Sequence, residues 1–177
     1  MFRRSLGVLA LATLTLALSA AAPAVLGPPW ISIEYPPSPY DQSTRDAFLL
    51  VHTFHHGTPI VAPVTGSAEG LVDGQRRSMA LKFAGTSRTG VYALRKQWSN
   101  EGSWVLFITA SQGPDDDVTA VVELNGSGQV AAVRVPTQRR GSYTIPADVS
   151  DAERETIVRE RFAMNGGQKA DVAKAPK

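Results

Sequence analysis

The chain has 177 residues, no cysteine, three histidines, and 18 basic against 16 acidic side chains. The missing cysteine excludes disulfides, thiolate metal sites, thiol nucleophiles and lipid attachment through an N-terminal cysteine, so the fold rests on its apolar core. Arg3 and Arg4 supply the whole positive excess; without them the charges balance at 16 each, which gives no general field for nucleic acid or anionic lipid and leaves only local patches.

Residues 1–24 read as a signal peptide. Arg3 and Arg4 precede the run Leu6 to Leu18, and "SAAAPA" offers the small residues a signal peptidase accepts, with cleavage between Ala21 and Ala24. As a retained anchor the segment would need about 20 apolar residues, and Thr13, Thr15, Ser19 and Pro23 make it a poor span. The expected location is the periplasm or the exterior, with no integral span after cleavage. Residues 25–46 form a proline-rich segment in which Trp30, Ile31 and Ile33 predict one short edge strand, a place where flanking prolines are tolerated.

Residues 47–145 predict the main domain. "AFLLVHTFH" reads as a strand, and "PVTGSAEGLV" and "QRRSMALKF" flank Asp73-Gly74, the residue pair that a two-residue hairpin with positive φ favours. "VYALRKQW" and "SWVLFITAS" follow. In the latter, Trp104, Leu106 and Ile108 share one face and Val105, Phe107 and Thr109 the other, so a strand apolar on both sides belongs in the middle of a sheet. "VTAVVEL" and "QVAAVRV" pair across "NGSG". Short strands separated by turns with no intervening helix predict an all-β, immunoglobulin-like antiparallel β-sandwich of about seven to eight strands.

Residues 146–166 predict a short C-terminal helix. Ser150 and Glu153 form a capping box, Ile157, Val158, Phe162 and Met164 make a narrow apolar stripe for docking on a surface, and Asn165-Gly166-Gly167 reads as the stop. Residues 167–177 have the polar composition of a disordered tail.

The segment "GVYALRKQWSNEGSWVLFITA", with Gly-x-Tyr, a strand, Gly-x-Trp and a second apolar strand, resembles exported bacterial immunoglobulin-like domains of the YtkA-like and FixH-like kind, and "HGTPIVAPVTGSAEGLVDG" fits the same pattern. The resemblance covers roughly residues 47–111. It implies a non-enzymatic exported domain, in some relatives associated with copper handling or respiratory-complex assembly, and it transfers no individual site residue. This chain departs from a membrane-anchored architecture in having no second apolar span.

Candidate chemistry is sparse. His52, His55 and His56 are the whole histidine content, and three imidazoles suffice for Cu(II), Ni(II) or Zn(II) where they converge. On a straight strand His52 and His56 would share a face about 13 Å apart, and His55 would point the other way. Convergence requires a bend at His55-His56, for which Gly57 and Pro59 are suited; Met79, Glu69 or Asp73 would be the fourth ligand, Met79 favouring Cu(I). The same three histidines are accounted for as a mixed strand face and its exposed end. Asp115, Asp116 and Asp117 are contiguous, unlike the alternating carboxylates of a calcium loop, and read as turn residues. Arg76-Arg77 and Arg139-Arg140 read as solvated pairs. Asn125-Gly126-Ser127 matches a glycosylation acceptor and equally a tight turn.

No Gly-x-Ser-x-Gly elbow, phosphate loop, His-Glu-x-x-His helix or dinucleotide fingerprint is present, so no enzyme is expected. The expected role is a non-enzymatic binding module of the cell envelope that meets another protein, with Trp30, Tyr35 and Tyr40 as amphipathic aromatics on an extended segment. The alternative is a periplasmic copper-type metal-binding protein using His52, His55 and His56.

Overall fold

The computed structural model describes residues 27–173, with side chains as far as residue 163. The signal peptide expected over residues 1–24 lies outside the described residues. The fold is an antiparallel β-sandwich with one C-terminal helix.

The first sheet joins β1 (Trp30–Glu34), β2 (Leu49–His55), β7 (Val91–Leu94) and β6 (Phe83–Gly85) in that order, with the two-residue β3 (Thr58–Pro59) also on β2. The second has the order β10 (Val130–Arg134), β9 (Asp117–Leu124), β8 (Ser103–Ser111), β4 (Val64–Val72) and β5 (Gln75–Ala80). A third, two-stranded ribbon pairs β11 (Thr137–Arg140) with β12 (Tyr143–Pro146). The helix α1 spans Asp151–Ala173. Among the described residues there are twelve strands, against the seven or eight expected.

β8 is the central strand of its sheet, and its apolar residues divide as alternation requires. Trp104, Leu106, Ile108 and Ala110 face the other sheet and pack with Leu49, Val51, Leu94, Val118, Ala120 and Val122. Val105 and Phe107 face outward, where Val121, Val149, Val158, Ile157 and Phe162 cover them. The narrow helix stripe therefore docks on the second sheet and buries a strand that would otherwise present apolar side chains to water. Arg154 reinforces the seat: its guanidinium lies 4.3 Å from the centre of the Phe107 ring and donates to Ser67 Oγ at 3.0 Å.

Asp73 and Gly74 adopt φ of 50° and 74°, so the hairpin between β4 and β5 turns where the residue pair predicts. The run "QRRSMALKF" is two strands, not one. β5 ends at Ala80 in the second sheet and β6 begins at Phe83 in the first, so the chain changes sheets at Leu81-Lys82. Leu81 is buried and its N–H donates to the Gly66 carbonyl at 2.8 Å. Gln97 satisfies both backbone groups of Lys82, accepting from its N–H at 3.0 Å and donating to its carbonyl at 2.8 Å. That side chain does for the crossover what a neighbouring strand does elsewhere.

β1 joins the main sheet in five registered pairs with β2, from Trp30 opposite Phe54 to Glu34 opposite Leu50, so the proline-rich segment is part of the sandwich. At the other end, Ser150 and Glu153 close the capping box: the Ser150 N–H donates to Glu153 Oε2 at 3.0 Å and the Glu153 N–H to Ser150 Oγ at 3.3 Å. The helix does not stop at Asn165-Gly166-Gly167 but continues to Ala173, and the tail expected from residue 167 is helical that far. Residues 174–177 lie outside the described residues.

Candidate functional site

Antiparallel pairing of β1 with β2 puts residues distant in sequence on one outer strip. Trp30 stands opposite Phe54, Ser32 opposite His52, and all four share the face that Glu34 also occupies. His52 Nε2 lies 2.8 Å from Glu34 Oε2, and its ring stacks on Phe54 with centroids 6.1 Å apart and planes 5° from parallel. Arg88 reaches the same carboxylate at 4.0 Å and Asp41 at 3.6 Å. The Ser43 hydroxyl, bonded to Asp41 Oδ1 at 2.6 Å, holds the Asp41 carboxyl below its ordinary range.

The strip ends in a shallow open groove of about 550 Å³ lined by Trp30, Phe54, His56 and Gly57. Trp30 is 49% exposed here. The groove exists because β2 turns back on itself: His56 and Gly57 take φ of 49° and 78°, and His55 pairs with Thr58 and Phe54 with Pro59. This bend brings the rings of His55 and His56 into an edge-to-face contact at 4.3 Å, while His52 stays with Glu34 and Phe54. Among the described residues, no three His, Asp or Glu side chains are grouped as a metal site. Of the suggested fourth ligands, Met79 packs against the core between the sheets and Asp73 forms the hairpin turn. Glu69 is buried, accepting from Ser78 Oγ at 2.7 Å.

The proposed aromatic contacts separate. Tyr40 is 91% exposed, but Tyr35 turns inward: its ring lies 5.3 Å from Phe48, which meets buried Trp98 edge-on at 5.0 Å. Tyr35 is thus a packing residue at the rim of the core, fixed by aromatic contacts that its sequence position does not reveal. Arg76 is likewise not merely solvated. It donates to Glu155 Oε2 at 2.6 Å and stands 3.5 Å from Glu69, tying β5 to the helix, and the Glu155 hydrogen bond pushes its guanidinium pKa up.

The remaining motifs are turns. Asp115 has φ of 64° in the loop after β8, and the Asp116 N–H donates to the Gly113 carbonyl at 3.3 Å. Asn125 Oδ1 accepts from the N–H groups of Ser127 and Gln129, both at 3.0 Å. A second groove, about 730 Å³, lies between the segment after β10 and the start of α1, with Val135, Pro136, Val149 and Ile157 as its apolar lining. Its charged rim residues are engaged elsewhere, Arg134 with Glu123 at 2.9 Å and Glu153 with Ser150.

Phe54, Glu34 and Arg88 belong to this strip although no local motif marks them. The available signal was the period-two pattern on the two strands, Trp30-x-Ser32-x-Glu34 and His52-x-Phe54, which becomes informative once their register is known. In comparison with known proteins, the chain matches no family model, no curated protein and no solved structure.

Proposed function

We propose that the protein is an exported, non-enzymatic interaction module of the cell envelope, and that it meets a partner protein through the Trp30 end of the outer strip. The reading keeps the kinship with YtkA-like and FixH-like domains as its proposed ancestry. The observation that carries it is the half-exposed Trp30 indole on an edge strand, beside Phe54 and an open groove. A large aromatic in that position is costly to leave in water and is the kind of anchor on which binding energy concentrates. Glu34, His52 and Arg88 supply a polar rim next to it.

The test is a photoreactive amino acid placed at position 30, and as a control at Ser127 in the exposed β9–β10 turn, in the full chain expressed in its own cells. A reproducible adduct from position 30 that the control does not give supports the reading. Absence of any such adduct, or the same adducts from both positions, sinks it.

A second reading, a periplasmic copper-type metal-binding protein, is favoured by the 4.3 Å approach of the His55 and His56 rings. Titration of the purified protein with Cu(II), Cu(I) and Zn(II) tests it. Affinity no tighter than that of a variant with His52, His55 and His56 all changed to alanine removes it.

A further inference from the structure

Among the described residues, the ribbon of β11 and β12 is hydrogen-bonded to the sandwich at its base. There the Ala147 N–H donates to the Pro136 carbonyl at 2.9 Å, the Thr119 N–H donates to the Ala147 carbonyl at 3.1 Å, and Pro146 and Ala147 are buried. Every residue from 137 to 144 is exposed. The tip turns at Gly141-Ser142, with Arg140 opposite Tyr143 and Arg139 opposite Thr144. Tyr143 is 74% exposed. Arg76, Arg88, Arg95, Arg134 and Arg161 each lie within reach of a carboxylate, whereas among the described residues the side chains of Arg139 and Arg140, like that of Arg77 on β5, make no ion pair or hydrogen bond.

Two unpaired guanidinium groups and an exposed tyrosine at the end of a projecting ribbon call for an anionic partner, and the alternation of the strand says which shape. Arg139 and Arg140 leave the ribbon on opposite faces. An acidic peptide lying along either face would meet only one of them. A flat anionic surface approached end-on meets both, and places the amphipathic Tyr143 ring at a polar boundary.

We infer that the β11–β12 tip is a contact for an anionic bilayer surface, with Arg139 and Arg140 binding headgroup phosphates and Tyr143 seated among the headgroups. Guanidinium groups suit phosphate through paired N–H donors, and basic side chains near an anionic leaflet gain affinity that falls within a Debye length. This contact is separate from the Trp30 strip and does not depend on it.

The test is co-sedimentation of the full chain with vesicles of phosphatidylcholine alone and of phosphatidylcholine mixed with phosphatidylglycerol; the basic leader is common to the wild type and every variant, so the contribution of the tip is read from the difference between them. The expected result is an excess on the anionic vesicles that weakens as salt rises. Arg139→Gln and Arg140→Gln should each lower that excess about fivefold, and both together about 25-fold. The double lysine variant should keep most of it, which separates loss of charge from loss of folding. Inorganic phosphate matched to the phosphate content of the vesicles should not compete, nor should polyglutamate. Equal binding to the two vesicle types, an excess untouched by the double glutamine change, or competition by either soluble anion would overturn the inference.

Discussion

Gly70 lies against the six-membered ring of Trp104. A Cβ built on it would stand 2.5 Å from ring Cε3, nearer than carbon atoms approach. The indole cannot simply retreat, because it is buried and its Nε1 donates to the Glu101 carbonyl at 2.9 Å. The requirement for glycine is therefore one of space across a strand pair, since Gly70 on β4 is registered opposite Trp104 on β8. Gly70→Ala should lower the unfolding free energy by about 1–3 kcal/mol through overpacking, with a change in tryptophan fluorescence. Denaturant melts unchanged from the wild type would show that the ring has room to move.

Seating of the helix should be measurable by side-chain truncation. Val158 is 1% exposed between α1 and the second sheet, and removing its two methyl groups should cost about 1.5–2.5 kcal/mol. Arg154→Ala removes the cation from the Phe107 face and the hydrogen bond to Ser67, at about 1–2 kcal/mol. Both residues serve the same docking surface, so the double variant should fall short of the sum of the singles. Strict additivity in a double-mutant cycle would argue that they act independently.

Thr119 has no solvent exposure, and its hydroxyl bridges Thr109 Oγ1 at 2.6 Å and Asp148 Oδ1 at 2.5 Å. Thr119→Val keeps the shape and strands the Thr109 hydroxyl, which should cost about 1–3 kcal/mol. Changing both threonines to valine should recover part of that loss, because no hydroxyl is then left without its partner. A double variant less stable than Thr119→Val would refute this account of the pair.

The helix cap should titrate. The Ser150 hydroxyl and N–H hold the Glu153 carboxyl below its ordinary value of 4.5. A depressed carboxylate pKa stabilises the folded state fully above the unfolded value and loses that contribution as pH falls through the folded one. Between pH 7 and about 4.5 the cap should therefore be constant, and below that it should fade. Glu153→Gln keeps an acceptor but cannot titrate, so the gap between its melting temperature and the wild type's should narrow as acid is added. A gap constant down to pH 2 would contradict this assignment.

Local rules served well where one short segment decides its own geometry. The Asp73-Gly74 turn, the Ser150/Glu153 cap and the two-faced character of β8 are each settled within a few residues, by φ preference, reciprocal hydrogen bonding and alternation. The change of sheet at Leu81-Lys82 was hidden because Gln97, distant in sequence, completes its hydrogen bonds. The ribbon "TQRRGSYTIP" has no buried face over most of its length, so it carries no hydrophobic pattern to read. The candidate strip was half visible: Trp30 and His52 stood out by type, but their neighbourhood depends on the register of β1 with β2. Tyr35 looked like a surface aromatic until its contact with Phe48 was known.

Because α1 follows all the strands of the described residues, it leaves the ribosome after both sheets. Until then Val105, Phe107 and Val121 lack their cover, even if both sheets have already paired. Completion of the domain thus waits for α1 to emerge, and a polypeptide interrupted before Val158 would carry an oily sheet face open to other chains.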